Sequence, residues 1–110
     1  MVVLARALAQ QTRLLLLDEP SASLDLKHRA DLIRTVGRLR DQKGLSVIMI
    51  THDLQLTSSF DQIVALRRGE VAAIGTPDEV LREQLLRGIY DDPNVCARRL
   101  GRQTFVWVDV

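Results

Sequence analysis

Two adjacent acids and one histidine are the residues of this sequence best placed to do chemistry. Asp18 and Glu19 lie within Leu14-Leu15-Leu16-Leu17-Asp18-Glu19-Pro20-Ser21-Ala22-Ser23-Leu24-Asp25, and His52 stands within Thr51-His52-Asp53. Carboxylates at the end of a strand can hold a metal ion or activate water. Adjacent strand residues point to opposite faces, so Asp18 and Glu19 are not a side-by-side dyad. One acid can face a cation while the next, as the chain turns, faces a different atom. Phosphoryl transfer uses that division, with one acid on the Mg²⁺ side and the other on the attacking water. A histidine on the same rim can donate to a phosphate oxygen. Each residue also has a plainer reading: Asp18 caps the turn, Glu19 is solvated, and His52 caps a helix or sits in a core. His28, between Lys27 and Arg29, reads as surface.

The elements that must position these residues follow from the pattern around them. Leu14–Asp18 carries four apolar residues without polar alternation, as a strand buried on both faces does. In an open α/β sheet, ligands sit beyond the carboxyl ends of parallel strands, which is where Asp18 and Glu19 fall. Pro20 to Ser23 form a loop, and Ser23 or Asp25 is the N-cap of the next helix. From Leu26 to about Gln42, Leu32, Ile33, Val36 and Leu39 recur at helical spacing, and Gly44 supplies the stop. Ser46–Ile50 is a second apolar strand, ending at Thr51-His52-Asp53. Strand, helix and strand make a βαβ unit, hence a parallel pair with a right-handed crossover. Asp18 and His52 then emerge on one rim.

Outside this unit, Val2–Gln10 reads as a buried helix joined to the first strand by Gln11-Thr12-Arg13. A short helix is expected over Leu54–Phe60. Ile63–Arg67 and Glu70–Ile74 form a hairpin across Arg68-Gly69. Thr76-Pro77-Asp78-Glu79 is a dense helix start, with the helix running to about Leu86 or Arg87. After Gly88 the chain is expected to be extended, with Val95–Arg99 and Gln103–Val108 flanking a turn at Gly101.

The 110 residues suit one small domain. A formal charge of +1 gives no single-signed field, which argues against nucleic acid or an anionic membrane as partner. The single cysteine, Cys96, fits a reducing compartment and suggests no metal cluster. Apolar runs fall far short of the ~18 residues of a membrane span, and no signal-peptide pattern opens the chain. A cytoplasmic globular chain is the expectation.

Leu14–Asp18 with Glu19, then Ser21-Ala22-Ser23-Leu24-Asp25, then Thr51-His52-Asp53, in this order, resembles the ATP-binding subunit of ABC transporters. LARALAQ before them and GEVAAIGTPDEVL after them fit the same family. The resemblance implies a Walker B strand in which Asp18 stands on the Mg²⁺ side and Glu19 is the catalytic base for the hydrolytic water. His52 would be the switch histidine that reads the γ-phosphate of ATP. Ser21, Ala22, Ser23, Leu24 and Asp25 would form the D-loop at the interface of two such subunits. The fold implied is α/β, a partial P-loop NTPase-type parallel sheet with flanking helices, a β-hairpin and an extended C-terminal tail. Residues 1–110 would be one partial domain, with 1–87 in the ATPase core and 88–110 as tail. Implied partners are a transmembrane permease subunit and a second ATP-binding subunit, at the cytoplasmic face of the membrane. The tail, with Gly101-Arg102 at its turn, resembles that of siderophore, haem or cobalamin importers.

The sequence departs from the family by lacking G-x-x-x-x-G-K-[ST], the loop that cradles phosphates. The Q-loop and signature motif are absent as well, so the chain resembles the C-terminal half of such a subunit. Two carboxylates then approach a polyanion with little to offset them, and no ATP turnover is expected from this chain alone. In the family fold the P-loop strand lies between the His52 strand and the one matching Ile63–Arg67. Its absence leaves open strand edges, which invite self-association. The rival reading is a non-catalytic interaction or regulatory module that self-associates or binds an intact ATPase subunit. A DNA-repair ATPase would share these motifs but would carry coiled-coil heptads or zinc cysteines, which are missing here.

Overall fold

The computed structural model describes residues 13–110, so the helix expected over Val2–Gln10 and most of its connection lie outside the described residues. The chain divides into two compact units, one ending at His52 and the other spanning Asp53–Val110.

The first unit is a βαβ motif. Strand β1 (Leu14–Asp18), helix α1 (Leu26–Lys43) and strand β2 (Ser46–Ile50) follow in order. The strands pair in parallel, with Leu14 opposite Ser46 and Asp18 opposite Ile50. Helix α1 starts at Asp25, whose side chain accepts the His28 N–H, which decides between the two caps the sequence offered. It stops at Gly44, whose φ of 63° is the left-handed conformation glycine adopts without a Cβ clash. Arg40 and Lys43 in its last turn complement the negative end of the helix dipole. The helical spacing of Leu32 and Val36 lays them on Leu15 and Leu17, and these four buried residues form the core. Leu24, Leu39, Val47 and Met49 pack around them.

The expectation of a strand buried on both faces is corrected. Leu15 is 2% exposed, whereas Leu16 is 62% exposed. Among the described residues a single helix covers a single face of the pair. Strand alternation therefore leaves Leu14, Leu16, Ile48 and Ile50 uncovered on the other face. β2 has no strand partner besides β1 among the described residues.

The second unit contains two antiparallel hairpins and three short helices. Helix α2 covers only Leu54–Thr57, shorter than the expected Leu54–Phe60, because turns centred on Ser58 to Phe60 end it. Strands β3 (Ile63–Arg67) and β4 (Glu70–Gly75) form the expected hairpin. Arg68 and Gly69 both have positive φ, as the favoured two-residue hairpin turn requires. Thr76 caps α3 (Pro77–Val80), accepting the Glu79 N–H, with Pro77 in the first turn.

The single helix expected from Thr76 to about Arg87 is in fact two. The chain leaves helical geometry at Leu81 and Arg82 and re-enters it in α4 (Glu83–Tyr90). Leu81 is buried in a cluster with Leu86 and Val95, so burial of Leu81 accompanies the break. Nor does the helix end before Gly88: α4 runs on to Tyr90, and Asp91, at φ 53°, makes the left-handed cap. Strands β5 (Val95–Leu100) and β6 (Gln103–Val108) then pair as an antiparallel hairpin. The extended tail is thus an ordered hairpin, packed on α4 through Val95, Ala97 and Val106.

Candidate functional site

The site is built at the carboxyl end of the β1–β2 pair. β1 ends at Asp18, but the ladder continues one residue further, the Glu19 N–H donating to the Ile50 carbonyl at 2.8 Å. Glu19 has a φ of 49°, left-handed geometry that is uncommon for a residue with a side chain. Of the four such residues among those described, Arg68 sits in a hairpin turn and Asp91 caps a helix, so each of these two has a local reason. Ser23 (φ 78°) lies in the turn that follows the strand. Glu19 lies immediately before that turn, where the backbone turns its carboxylate toward the neighbouring strand's exit. Its Oε1 stands 3.3 Å from Nε2 of His52, close enough to pair when the imidazole carries a proton.

The parallel register makes this meeting possible. With Asp18 opposite Ile50, Glu19 falls beside Thr51 and His52 follows directly. The His52 side chain is 99% exposed, and Glu19 is half-buried beneath it. The rim shared by the two strands is therefore as expected, but the acid brought to His52 is Glu19. Asp18 is exposed and alternates onto the face of Leu14 and Leu16. The two acids thus serve two directions from one strand end, and they are not a dyad. An oxygen donor in the position of Asp18 suits a hard cation such as Mg²⁺. The sequence holds no G-x-x-x-x-G-K-[ST] loop to receive a triphosphate.

Beyond Glu19 the loop is tied to itself. The Ala22 N–H donates to the Glu19 carbonyl at 3.2 Å, and the Leu24 N–H to the Ser21 carbonyl at 3.0 Å. Ser21 is buried and Leu24 packs on the core, whereas Ala22, Ser23 and Asp25 are exposed. Asp25 makes a contact that the sequence reading missed: Nδ1 of His28 lies 2.6 Å from its Oδ1. His28 is exposed as expected, but it is engaged. The signal was available in the spacing Asp25-x-x-His28, the cap-to-third-residue spacing of a capping box. Both donations from His28, the backbone one first and the imidazole one second, hold the Asp25 carboxyl below its usual value of 3.8.

Comparison with known proteins places these residues in a family. No family model matches the chain. Hemin import ATP-binding protein HmuV of Rhodococcus jostii is 47% identical over 93 residues, covering 84% of this chain and 32% of that protein. Petrobactin import ATP-binding protein FpuC of Bacillus anthracis is 36% identical over 88 residues, covering 79% of this chain and 32% of that protein. The chain is homologous to the C-terminal part of ABC-transporter ATP-binding subunits. It spans about a third of the length of the curated relatives it matches. Among solved structures, an inward-facing ABC transporter described as metal-chelate type superposes over 99% of this chain and 45% of its own. The TM-score is 0.84 at 20% identity, a likeness of fold. The cbiO1 protein of Clostridium perfringens, part of the ABC transporter complex cbiONQ, superposes over 77% of this chain and 34% of its own. There the TM-score is 0.70 at 28% identity. The α/β fold of an ABC ATPase is thereby established, with the parallel part of its sheet present here as β1 and β2. No helix among the described residues is long and apolar enough to cross a membrane.

Proposed function

We propose that this chain supplies the Walker B, D-loop and switch-histidine part of an ABC importer's ATP-binding subunit. The whole subunit would couple MgATP binding and hydrolysis to movement of a substrate through a transmembrane permease subunit at the cytoplasmic face of the membrane. The observation that carries this reading is the approach of Glu19 Oε1 to His52 Nε2 at 3.3 Å on the rim of a parallel strand pair. In the proposed roles, Glu19 polarises the hydrolytic water, His52 contacts the γ-phosphate, and Asp18 stands on the Mg²⁺ side. Ser21 to Asp25 meet a second ATP-binding subunit as the D-loop. Residues 1–110 then belong to one partial domain, with 1–87 in its core and 88–110 as its tail. The hemin and petrobactin importers among the relatives support an iron-chelate cargo.

Glu19, Asp18 and His52 suit the metal and water side of such a site, but they do not suit the triphosphate, which needs amide and lysine donors. Calorimetric titration of this chain with MgATP is accordingly expected to show no micromolar binding, and a micromolar Kd would overturn this account. The reading itself is tested by extending the chain through the coding sequence upstream of Met1. An in-frame P-loop and signature should yield an ATPase whose turnover falls about a hundredfold or more in Glu19→Gln, with MgATP binding retained. Unchanged turnover in that variant would remove Glu19 from the chemistry.

One observation favours the second reading, a non-catalytic module that self-associates or binds an intact ATPase subunit. Apolar sheet faces are uncovered in both units, at Leu14, Leu16, Ile48 and Ile50 and at Val64, Leu66, Val71 and Ile74. Contiguous exposed apolar surface of this kind marks an interaction site. Light scattering tests the first branch, because a stable monomer at high concentration removes self-association, and co-purification with an intact ATP-binding subunit tests the second.

A further inference from the structure

The loop leaving the acid-bearing strand ends on Asp25, whose carboxylate is held twice by one residue. Its Oδ1 accepts the backbone N–H of His28 at 2.9 Å and lies 2.6 Å from that histidine's Nδ1. An ionised carboxylate only accepts, so the second contact requires the ring proton on Nδ1. A helix cap needs the first bond alone. The second bond gives the helix no further backbone partner; it adds a second hold on the same carboxylate oxygen, on a side chain that stays exposed. The rest of the turn is equally constrained: Nε of Arg29 donates to the Leu24 carbonyl at 3.0 Å, and Leu24 is anchored on the core. Asp25 and its exposed neighbours Ala22 and Ser23 thus form a small outward surface of fixed shape.

We propose that His28 is a positioning residue for Asp25, holding in one orientation the carboxylate that the Ser21–Asp25 loop presents to a second ATP-binding subunit. The inference rests on the interface role assigned to that loop above, and its test has two separable arms. In the chain itself, nitrogen-detected NMR should find His28 protonated on Nδ1, and side-chain couplings should find Asp25 in a single rotamer. His28→Ala should broaden that rotamer's distribution, because the backbone cap bond then holds the carboxylate alone. His28→Gln, whose amide still donates, should restore most of the single rotamer. The second arm measures binding to an intact ATP-binding subunit. There Asp25→Ala should weaken binding most and His28→Ala about threefold to fivefold, the scale of an exposed charged contact, with His28→Gln between His28→Ala and the unsubstituted chain. A His28 protonated on Nε2 alone, or an Asp25 rotamer indifferent to His28→Ala, overturns the positioning role whatever the binding arm gives. A clamp that is present while neither variant changes binding overturns the interface assignment, and the presentation role falls with it.

Discussion

The two units of this chain solve the same problem, covering a small sheet, with opposite consequences for function. The first unit covers one face of β1–β2 with α1 and gathers at the strand ends Asp18, Glu19 and His52, the residues proposed for chemistry. The second unit closes a core of Leu81, Leu86 and Val95 between α4 and the β5–β6 hairpin and carries none of those residues. Several of its charged side chains are spent on structure. Arg87 donates to the Val95 carbonyl at 2.8 Å, the Glu83 carboxylate accepts the Ala97 N–H at 3.1 Å, and Arg99 pairs with Asp78. In the first unit, by contrast, Asp18, Glu19 and His52 stand at a half-open edge with few partners. A site that must receive a ligand keeps its polar groups available, whereas a scaffold satisfies them internally.

The largest effect that could break this comparison is in the cores. Leu32→Ala and Leu86→Ala remove the helix's central side chain from each core, at a cost of about 3 kcal/mol apiece. Hydrogen exchange should show Leu32→Ala releasing the β1–β2 amides and Leu86→Ala releasing those of β5–β6. Simultaneous release of both sets by either variant would mean the units unfold as one.

Next in size is the cap of α3. Thr76→Ala should cost about 1 kcal/mol, read as a shifted denaturation midpoint, because the Thr76 hydroxyl both accepts the Glu79 N–H and donates to its carboxylate. The effect should be confined to the second unit.

Acid should discriminate in the other direction. The folded Asp25 carboxyl lies below its usual 3.8 through its bonds to His28, so its stabilisation of α1 is complete above that value. It is lost as pH falls through the lower, folded value. Circular dichroism between pH 5 and 2 should therefore show an α1 contribution that disappears from this window in Asp25→Ala. The smallest expected change in stability is for Leu16→Asp on the uncovered face, within about 0.5 kcal/mol. Any self-association through that face should nevertheless fall sharply by light scattering, and an unchanged scattering profile would show that the face makes no contacts.

Glu19 and His52 were legible as chemical residues because both directly follow or nearly follow an apolar strand. That they meet each other, with Asp18 turned away, was not legible. The pairing depends on the register that sets Asp18 opposite Ile50 and on the left-handed backbone at Glu19. The His28 contact lay within reach of local reasoning, since it spans three residues, but a histidine between two basic neighbours reads as solvated until its rotamer is seen.

What the sequence by itself determined is everything set by neighbours along the chain. That includes a cap at Ser23 or Asp25, the stop at Gly44, the turn at Arg68-Gly69, the start at Thr76-Pro77, and the order of motifs that marks the family. These depend on backbone preferences and short-range hydrogen bonds, which act within about one turn. Tertiary structure decided the rest. It buried Leu81 with Leu86 and Val95 where the expected helix breaks at Leu81-Arg82. It also left half of the β1–β2 pair uncovered and brought Glu19, not Asp18, to His52. Each of these is settled by contacts between residues distant in the chain, or by which faces find cover, and no local preference encodes either.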